Sequence, residues 1–513
     1  MRVLVVGHGM VGSRLVEDLA DAGDVEVTVL GAEPYEPYNR VLLSEVVAGR
    51  VDVASIMLPR PGETAGAAVH AGTTALAIDR AARVVLDDAG AAHTYDALVL
   101  ATGARARVPD LPGLVPLPAG AHALRTLDDA REIVAASANA RRAVVVGGGV
   151  LGLEAACGLA GRGLDVTVVH AGAHVMDRQL DDEAAAAVAA GLDRLGVAQV
   201  TGAQTREVVL EDRHVRGVRV ATAEIERVLP ADLLVLTTGT VPETGLAAAA
   251  GLAVRRGVVV GTDGATSDPA VFAVGDCAEP PEGATGLVAQ GWDQARRLAA
   301  LLGARAGGRE VAVAAPEPVH GTDVVRLKAA GLEVVAMGVC GSRRSPEAAA
   351  ARSVRLGDPT AGRHVEVVVH DGVVVGATCV GAGPVAADLV AAYARRTPAP
   401  RDPAQLLLRP VRGAAAEGAE PSPTLMPDRA TVCRCNGVTK GDVVACWRHG
   451  ARSVEEVARR TRATTGCGGC TEAVCGIVDW LRRSDPSADE PAAATAPGAS
   501  SVRAPDPEEA VAR

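Results

Sequence analysis

Short apolar runs that end in glycine, each followed by a segment of helical period, recur along the chain. Val3 to Val6 runs into Gly7-His8-Gly9-Met10-Val11-Gly12, Ser13 to Ala20 then reads as a helix, and Val25 to Leu30 as a second strand ending just before Glu33. The same series returns later. Arg142 to Val146 reads as a strand, Gly147-Gly148-Gly149-Val150-Leu151-Gly152 as a turn, Leu153 to Ala160 as a helix and Leu164 to Val169 as a strand. Buried-type strands also lead into Ala101-Thr102-Gly103 and, in the second copy, into Thr237-Thr238-Gly239, while Val271 to Val274 leads into Gly275-Asp276. Apolar runs alternating with helical pattern predict an α/β architecture with parallel sheets.

A strand, a glycine turn and a helix in this order make an anion site. Gly7 permits the tight turn, Gly9 lets a pyrophosphate approach the backbone at the helix N-terminus, and Gly12 lets helix and strand pack closely. Glu33, 21 positions beyond Gly12, stands where an acid accepts hydrogen bonds from ribose hydroxyls. In the second copy His170 holds the place of that acid, and Arg178 lies nearby, so the choice between NADH and NADPH stays open. Asp276 follows a strand and is expected near a helix start, where its carboxylate suits the hydroxyls of a flavin side chain.

Composition narrows the class. The chain has 513 residues, 48% of them hydrophobic, a formal charge of -11 and only 2% aromatic residues. The length fits two to four domains, and the acidic balance with few aromatics argues against a nucleic-acid partner. The N-terminus runs directly into a strand without the pattern of a signal peptide, and no run of about 18 apolar residues predicts a membrane span. A cytoplasmic protein is expected, where clustered cysteines act as ligands or redox groups. The histidines form no rival site, His364 and His370 reading as strand-end or surface residues, and no hydrolase constellation is visible.

Four of the ten cysteines form two close pairs, Cys433-x-Cys435 and Cys467-x-x-Cys470, with 31 residues between the pairs. Four thiolates suit either structural zinc or an iron-sulfur centre. The Pro-, Ala- and charge-rich stretch before them predicts a linker over 401–429, and the Ala-, Pro- and acid-rich residues 484–513 predict a disordered tail.

The ordered set Gly7-x-Gly9-x-x-Gly12, Glu33, Ala101-Thr102-Gly103, Gly147-x-Gly149-x-x-Gly152 and Gly275-Asp276 resembles the pyridine-nucleotide-dependent flavoprotein reductases with two nested Rossmann domains. That resemblance implies an FAD domain over 1–140 and 264–315, an NAD(P)H domain over 141–263 and a small α/β interface domain over 316–400. In members with a redox disulfide, a Cys-x4-Cys lies beside the flavin; the matching Pro37 to Ser44 has no cysteine. That stretch is similar to the nitrite-reductase large-subunit and rubredoxin-reductase branch, which implies that Arg40 and Ser44 lie near the FAD. Residues 430–483 resemble the bacterioferritin-associated-ferredoxin-like domain, a small helical unit with helices beginning near Thr439 and Ser453. The likeness implies a [2Fe-2S] cluster on Cys433, Cys435, Cys467 and Cys470.

The resemblance implies an enzyme that carries electrons from NAD(P)H through FAD and the cluster to a partner. No side chain is needed as nucleophile or base. An assimilatory nitrate reductase catalytic subunit is the first expected acceptor, with rubredoxin, ferredoxin or a separate sirohaem nitrite reductase as alternatives. A homodimer through the interface domain is compatible with it. A reading from another class, a nucleotide-sensing scaffold with a zinc module, predicts a colourless protein with stoichiometric zinc.

Overall fold

The computed structural model describes residues 1–20, 24–58, 66–309, 323–341, 351–358, 360–408, 423–433, 436, 438–466 and 468–484. Its chain divides into two units, Met1–Glu417 and Gly418–Arg513. Of the tail expected over 484–513, only Ser484, the last residue of a helix, lies within the described residues.

The first unit holds two parallel five-stranded sheets with the same order. In the first, Ala68–Ala71, Glu26–Gly31, Arg2–Val6, Ala97–Leu100 and Val271–Ala273 lie side by side. In the second the series is Val197–Val200, Asp165–Val169, Arg142–Val146, Leu233–Leu236 and Ala121–Ala123. Central strands such as Ala97–Leu100 and Leu233–Leu236 are buried along their whole length. That is why they read as continuous apolar runs without alternation. Each sheet takes an edge strand from the far side of the other. Ala121–Ala123 precedes the second glycine turn yet closes the second sheet, and Val271–Ala273 returns after it to close the first. The antiparallel pair of Ala104–Ala106 with Thr240–Pro242 ties the two halves again.

The remaining domain of this unit is an antiparallel sheet in the order Val325–Ala329, Leu332–Gly338, Val373–Val380, Arg363–His370, Arg352–Asp358. The helix Gly383–Arg395 packs on it through Ala386, Leu389 and Val390. Leu407 is buried in the same cluster, and Pro403–Leu406 form a 3-10 turn. Residues 401–407 of the expected linker therefore belong to this domain, because apolar side chains continue the core to residue 407.

In the second unit, helices Lys440–Arg448, Val454–Thr461 and Thr471–Ser484 surround one core of Val443, Trp447, Val457, Val474, Ile477 and Val478. Thr439 caps the first helix in a capping box with Asp442, and Ser453 caps the second through Glu456 N–H. Met426 packs against this core, and Lys440 Nζ donates to its carbonyl at 2.7 Å. Residues from Pro423 thus belong to the unit and not to a linker.

A buried carboxyl joins the domains of the first unit. Glu154, on the helix Val150–Gly161, is 4% exposed. It accepts from Ser44 Oγ at 2.6 Å and from Lys328 N–H at 2.8 Å, while Lys328 Nζ donates to Val41 O at 3.1 Å. Burial pushes the Glu154 carboxyl above its ordinary 4.5, against the opposing pull of Lys328 and Ser44. A carboxyl raised on folding contributes stability that is complete below 4.5 and is lost as pH rises through its folded value. Ser44→Ala removes a donor to the charged form, so the folded value climbs further. The expected result is a loss of about 1–3 kcal/mol near neutral pH that shrinks toward pH 4, read by urea unfolding across pH. An equal loss at both ends of the range would contradict the assignment.

Candidate functional site

The two glycine turns are built alike. A Cβ on Gly12 would lie 2.0 Å from Gly7 O, and one on Gly152 would lie 1.8 Å from Gly147 O. Each helix is therefore seated directly on its turn, which only glycine allows. Met10 and Val11 open the helix Met10–Ala20, and Val150 and Leu151 open the helix Val150–Gly161, with Gly149 as its N-cap. Gly9 and Gly149 face the opposite condition, since a Cβ at either would meet nothing within 4 Å. Both helix N-termini thus look onto open space, where free amides and the helix dipole attract phosphate. The half-buried His8 has no hydrogen-bond partner on either of its covered ring nitrogens, and burial lowers its pKa despite Glu36.

Around the first turn the expected acids are held by cations. Glu33 accepts from Tyr38 Oη at 2.7 Å on one oxygen and from Arg40 on the other. Burial raises the Tyr38 phenol's pKa, keeping it a donor, and its ring lies 4.8 Å from the Arg40 guanidinium. Arg40 also donates to Arg125 O at 3.1 Å, and Arg125 pairs with Asp276 at 2.8 Å. Each carboxylate oxygen has a second lone pair, so the fixed Glu33 and Asp276 retain capacity for hydroxyl donors. Ala101-Thr102-Gly103 leave the strand Ala97–Leu100, and Thr102 Oγ1 donates to Glu243 O at 2.8 Å. Ser44, by contrast, is fully buried with its hydroxyl given to Glu154.

Asp276 meets its helix across the chain, through packing. Gly275–Cys277 form a 3-10 turn, and the next helix, Val288–Ala306, begins a dozen residues later. What brings that helix to the site is packing: Trp292 Nε1 donates to Met10 O at 3.1 Å, and Gly275 lies against Val11. Arg125 orients Asp276, and the first turn of that helix stands against the neighbouring Gly275, since a Cβ on Gly291 would lie 3.3 Å from Gly275 Cα.

At the second turn His170 Nδ1 accepts from Gly148 N–H at 3.2 Å, and Nε2 lies 3.6 Å from Asp177 Oδ1. Thr237 Oγ1 donates to Gly147 O at 3.0 Å, locking the turn from the neighbouring strand exit that continues to Gly239.

In the second unit Cys433 and Cys470 are 2% and 7% exposed. Asn436 Nδ2 approaches Cys433 Sγ at 3.7 Å, and Thr464 N–H donates to Cys470 Sγ at 3.2 Å. Cys433 is drawn down to about 6, first by the Cys470 side chain and then by amide donors, against the effect of burial. A buried thiol pair with donors aimed at sulfur suits bound metal better than an inert core. Cys435 and Cys467 lie outside the described residues.

Sequence reasoning missed Tyr38, Arg125, Asn436 and Thr464. His364 stands at a strand end, as read, but is buried, not at the surface, within 4.8 Å of Asp181 and Glu366. Arg355 already supplies the positive charge there, donating to Glu366 at 2.8 Å and pairing with Asp181 at 3.6 Å.

Residues 1–295 match the family described as pyridine nucleotide-disulphide oxidoreductase, and 431–480 match the BFD-like [2Fe-2S] binding domain. A nitrite reductase [NAD(P)H] of Bacillus subtilis is 31% identical over 94% of this chain and 58% of its own. The assimilatory nitrate reductase electron transfer subunit of the same organism is 29% identical over 94% of this chain and 60% of its own. The chain thus spans about three-fifths of these curated relatives. The solved covalent putidaredoxin reductase–putidaredoxin complex superposes with a TM-score of 0.68 at 26% identity, over 79% of this chain and 95% of that one. Pro37 to Ser44, the stretch that matches the place of a disulphide beside the flavin, holds no cysteine.

The open space at Gly9 yields a direct check. Gly9→Val is expected to fold with unchanged far-ultraviolet circular dichroism, because a Cβ there meets nothing within 4 Å. It should lose at least about tenfold in FAD retention, read as flavin absorbance per chain, since the methyls occupy the phosphate space. Full flavin content in this variant would remove the first turn from the FAD site.

Proposed function

The chain belongs to the pyridine nucleotide-disulphide oxidoreductases, and on that premise we propose that it conveys electrons from NAD(P)H to a partner redox protein. The first-ranked partner is a nitrate reductase catalytic subunit. The observation that carries the reading is the presence, in one chain, of two open glycine turns and a buried Cys433–Cys470 pair with donors on sulfur. The matched families bring FAD, NAD(P)H and a [2Fe-2S] cluster, and the cluster match supports iron over zinc.

Bound, these groups supply hydride acceptance and one-electron delivery, chemistry that no side chain here provides. The chain's own residues bind and orient. Amides of the Met10–Ala20 helix N-terminus would hold the FAD pyrophosphate, with Glu33 and Asp276 as acceptors fixed by Arg40 and Arg125. The Val150–Gly161 helix N-terminus would hold the dinucleotide, with His170 at the adenosine end. Cys433 and Cys470, together with Cys435 and Cys467, would ligate the cluster, and Asn436 and Thr464 would stabilise sulfur charge. The same reading has the interface domain pairing two copies.

A ferredoxin reductase role is the second reading. It is favoured by the 37% identity, over 54% of this chain, to a probable ferredoxin reductase of Castellaniella defragrans. That match leaves the cysteine-bearing unit without a purpose, which is why the longer relatives are preferred.

Anaerobic titration with NADH and NADPH, followed by absorbance and electron paramagnetic resonance, tests the proposal. The wild type should show flavin bleaching and then a reduced [2Fe-2S] signal that disappears when nitrate reductase catalytic subunit and nitrate are added. Cys433→Ser should keep the bleaching and lose the signal, with transfer to the partner down at least about a hundredfold. Equal loss of bleaching in the variant would overturn the proposed order.

A further inference from the structure

Asn436 follows Cys435 directly and makes a contact that ligation by four thiolates does not require. Its carboxamide nitrogen carries two hydrogens and meets two acceptors. Nδ2 donates to Arg462 O at 2.6 Å and approaches Cys433 Sγ at 3.7 Å, within the longer reach of sulfur. The first bond, to a carbonyl 26 positions away, holds the amide on the sulfur. That carbonyl belongs to a strained turn. Arg462 lies at φ 60° and Thr464 at φ 70°, both in the left-handed region, around the fully buried Ala463. A β-branched residue persists there only where its surroundings over-determine it. Arg462 O also accepts from Thr465 Oγ1 at 2.8 Å and from Thr465 N–H at 3.2 Å, and Thr464 N–H is delivered to Cys470 Sγ at 3.2 Å. One turn thus orients a donor onto each sulfur of the Cys433–Cys470 pair.

Resting on the reading of Cys433, Cys435, Cys467 and Cys470 as the [2Fe-2S] ligands, we propose that Asn436 is a positioning residue that raises the reduction potential of the centre through Cys433 Sγ, so that an electron leaving reduced FAD settles on the cluster. One electron moves and no bond forms or breaks, so the centre gains one negative charge, shared with its thiolate sulfurs. A hydrogen-bond donor on sulfur stabilises that added charge more than it stabilises the oxidised centre, which moves the potential up. The same pull acts on the bare thiol, where the backbone and side-chain N–H groups of Asn436 both favour the thiolate form of Cys433.

Asn436→Leu, similar in size and without a donor, tests this on the full chain loaded with FAD and cluster. Arg462 O keeps both Thr465 donors in the variant, so the turn is still held. At a fixed ratio of NADH to NAD+ and matched iron content, the reduced-to-oxidised ratio of the cluster, read by electron paramagnetic resonance, should fall at least about tenfold, which is about 59 mV for a one-electron couple. Asn436→Ala, which leaves room for water, should shift the ratio in the same direction by less. A second readout needs no substitution. The chain has three asparagines, and Asn39 and Asn139 lie in the other unit. Wild-type protein grown with asparagine labelled by 15N in its side chain should therefore show a 15N coupling in the pulsed spectrum of the reduced cluster. An unchanged ratio in both variants, or no 15N coupling in the wild type, would overturn the proposal and leave Asn436 as a structural tie. Wild-type protein with full flavin but zinc in place of iron would instead overturn the cluster reading on which the proposal rests.

Discussion

Strand Val271–Ala273 pairs with Ala97–Leu100 only after the chain has built an entire second sheet. This return is the constraint from which the arrangement of the first unit follows. Because the first sheet cannot be completed until the second has been inserted, the helix Val288–Ala306 is delivered against the first glycine turn, where Trp292 anchors to Met10 O. The same return carries Asp276 to the strand edge at which Arg125 meets it. The reciprocal loan of Ala121–Ala123 to the second sheet fixes the partner half in the same way. Two sheets that complete one another hold their two turns in one rigid frame, which is what transfer between two bound nucleotides demands.

Within that frame the polar interior is economical. The buried Glu154 receives donors from Ser44 and Lys328, so one carboxyl links the first nucleotide domain, the second and the interface sheet. Leaving such a group unpaired would cost more than the bonds gain, and both bonds are therefore structural necessities once the carboxyl is buried. The second unit solves a different problem. Its core is small, and its buried sulfurs need donors, which Asn436 and the Thr464 amide provide at the turn leaving the helix Val454–Thr461.

Much of this was legible in the sequence because local rules govern it. The strand–glycine–helix series, the exits at Gly103 and Gly239 and the caps at Thr439 and Ser453 depend on neighbours a few residues away. The partners of the site's acids were not legible. Arg125 and Asp276 are 151 positions apart and meet only through the return of the last strand. Tyr38 and Arg40 are close to Glu33 in sequence, yet their convergence depends on a 3-10 turn capped by Asn39. The burial of His364 was hidden for the same reason, since its strand reads as exposed at the end until Asp181 and Arg355 close over it. The ends of the expected linker failed because short apolar segments around Leu407 and Met426 dock onto cores formed elsewhere.

One chain holding both a two-electron and a one-electron carrier must take up a fixed number of electrons, which can be counted. Anaerobic coulometric reduction of the purified protein, with flavin, iron and zinc measured on the same sample, gives electrons per chain. Two should be taken up with flavin bleaching and one more with a [2Fe-2S] resonance, at two irons per chain. Uptake that stops at two electrons in an iron-free, zinc-loaded protein would contradict this.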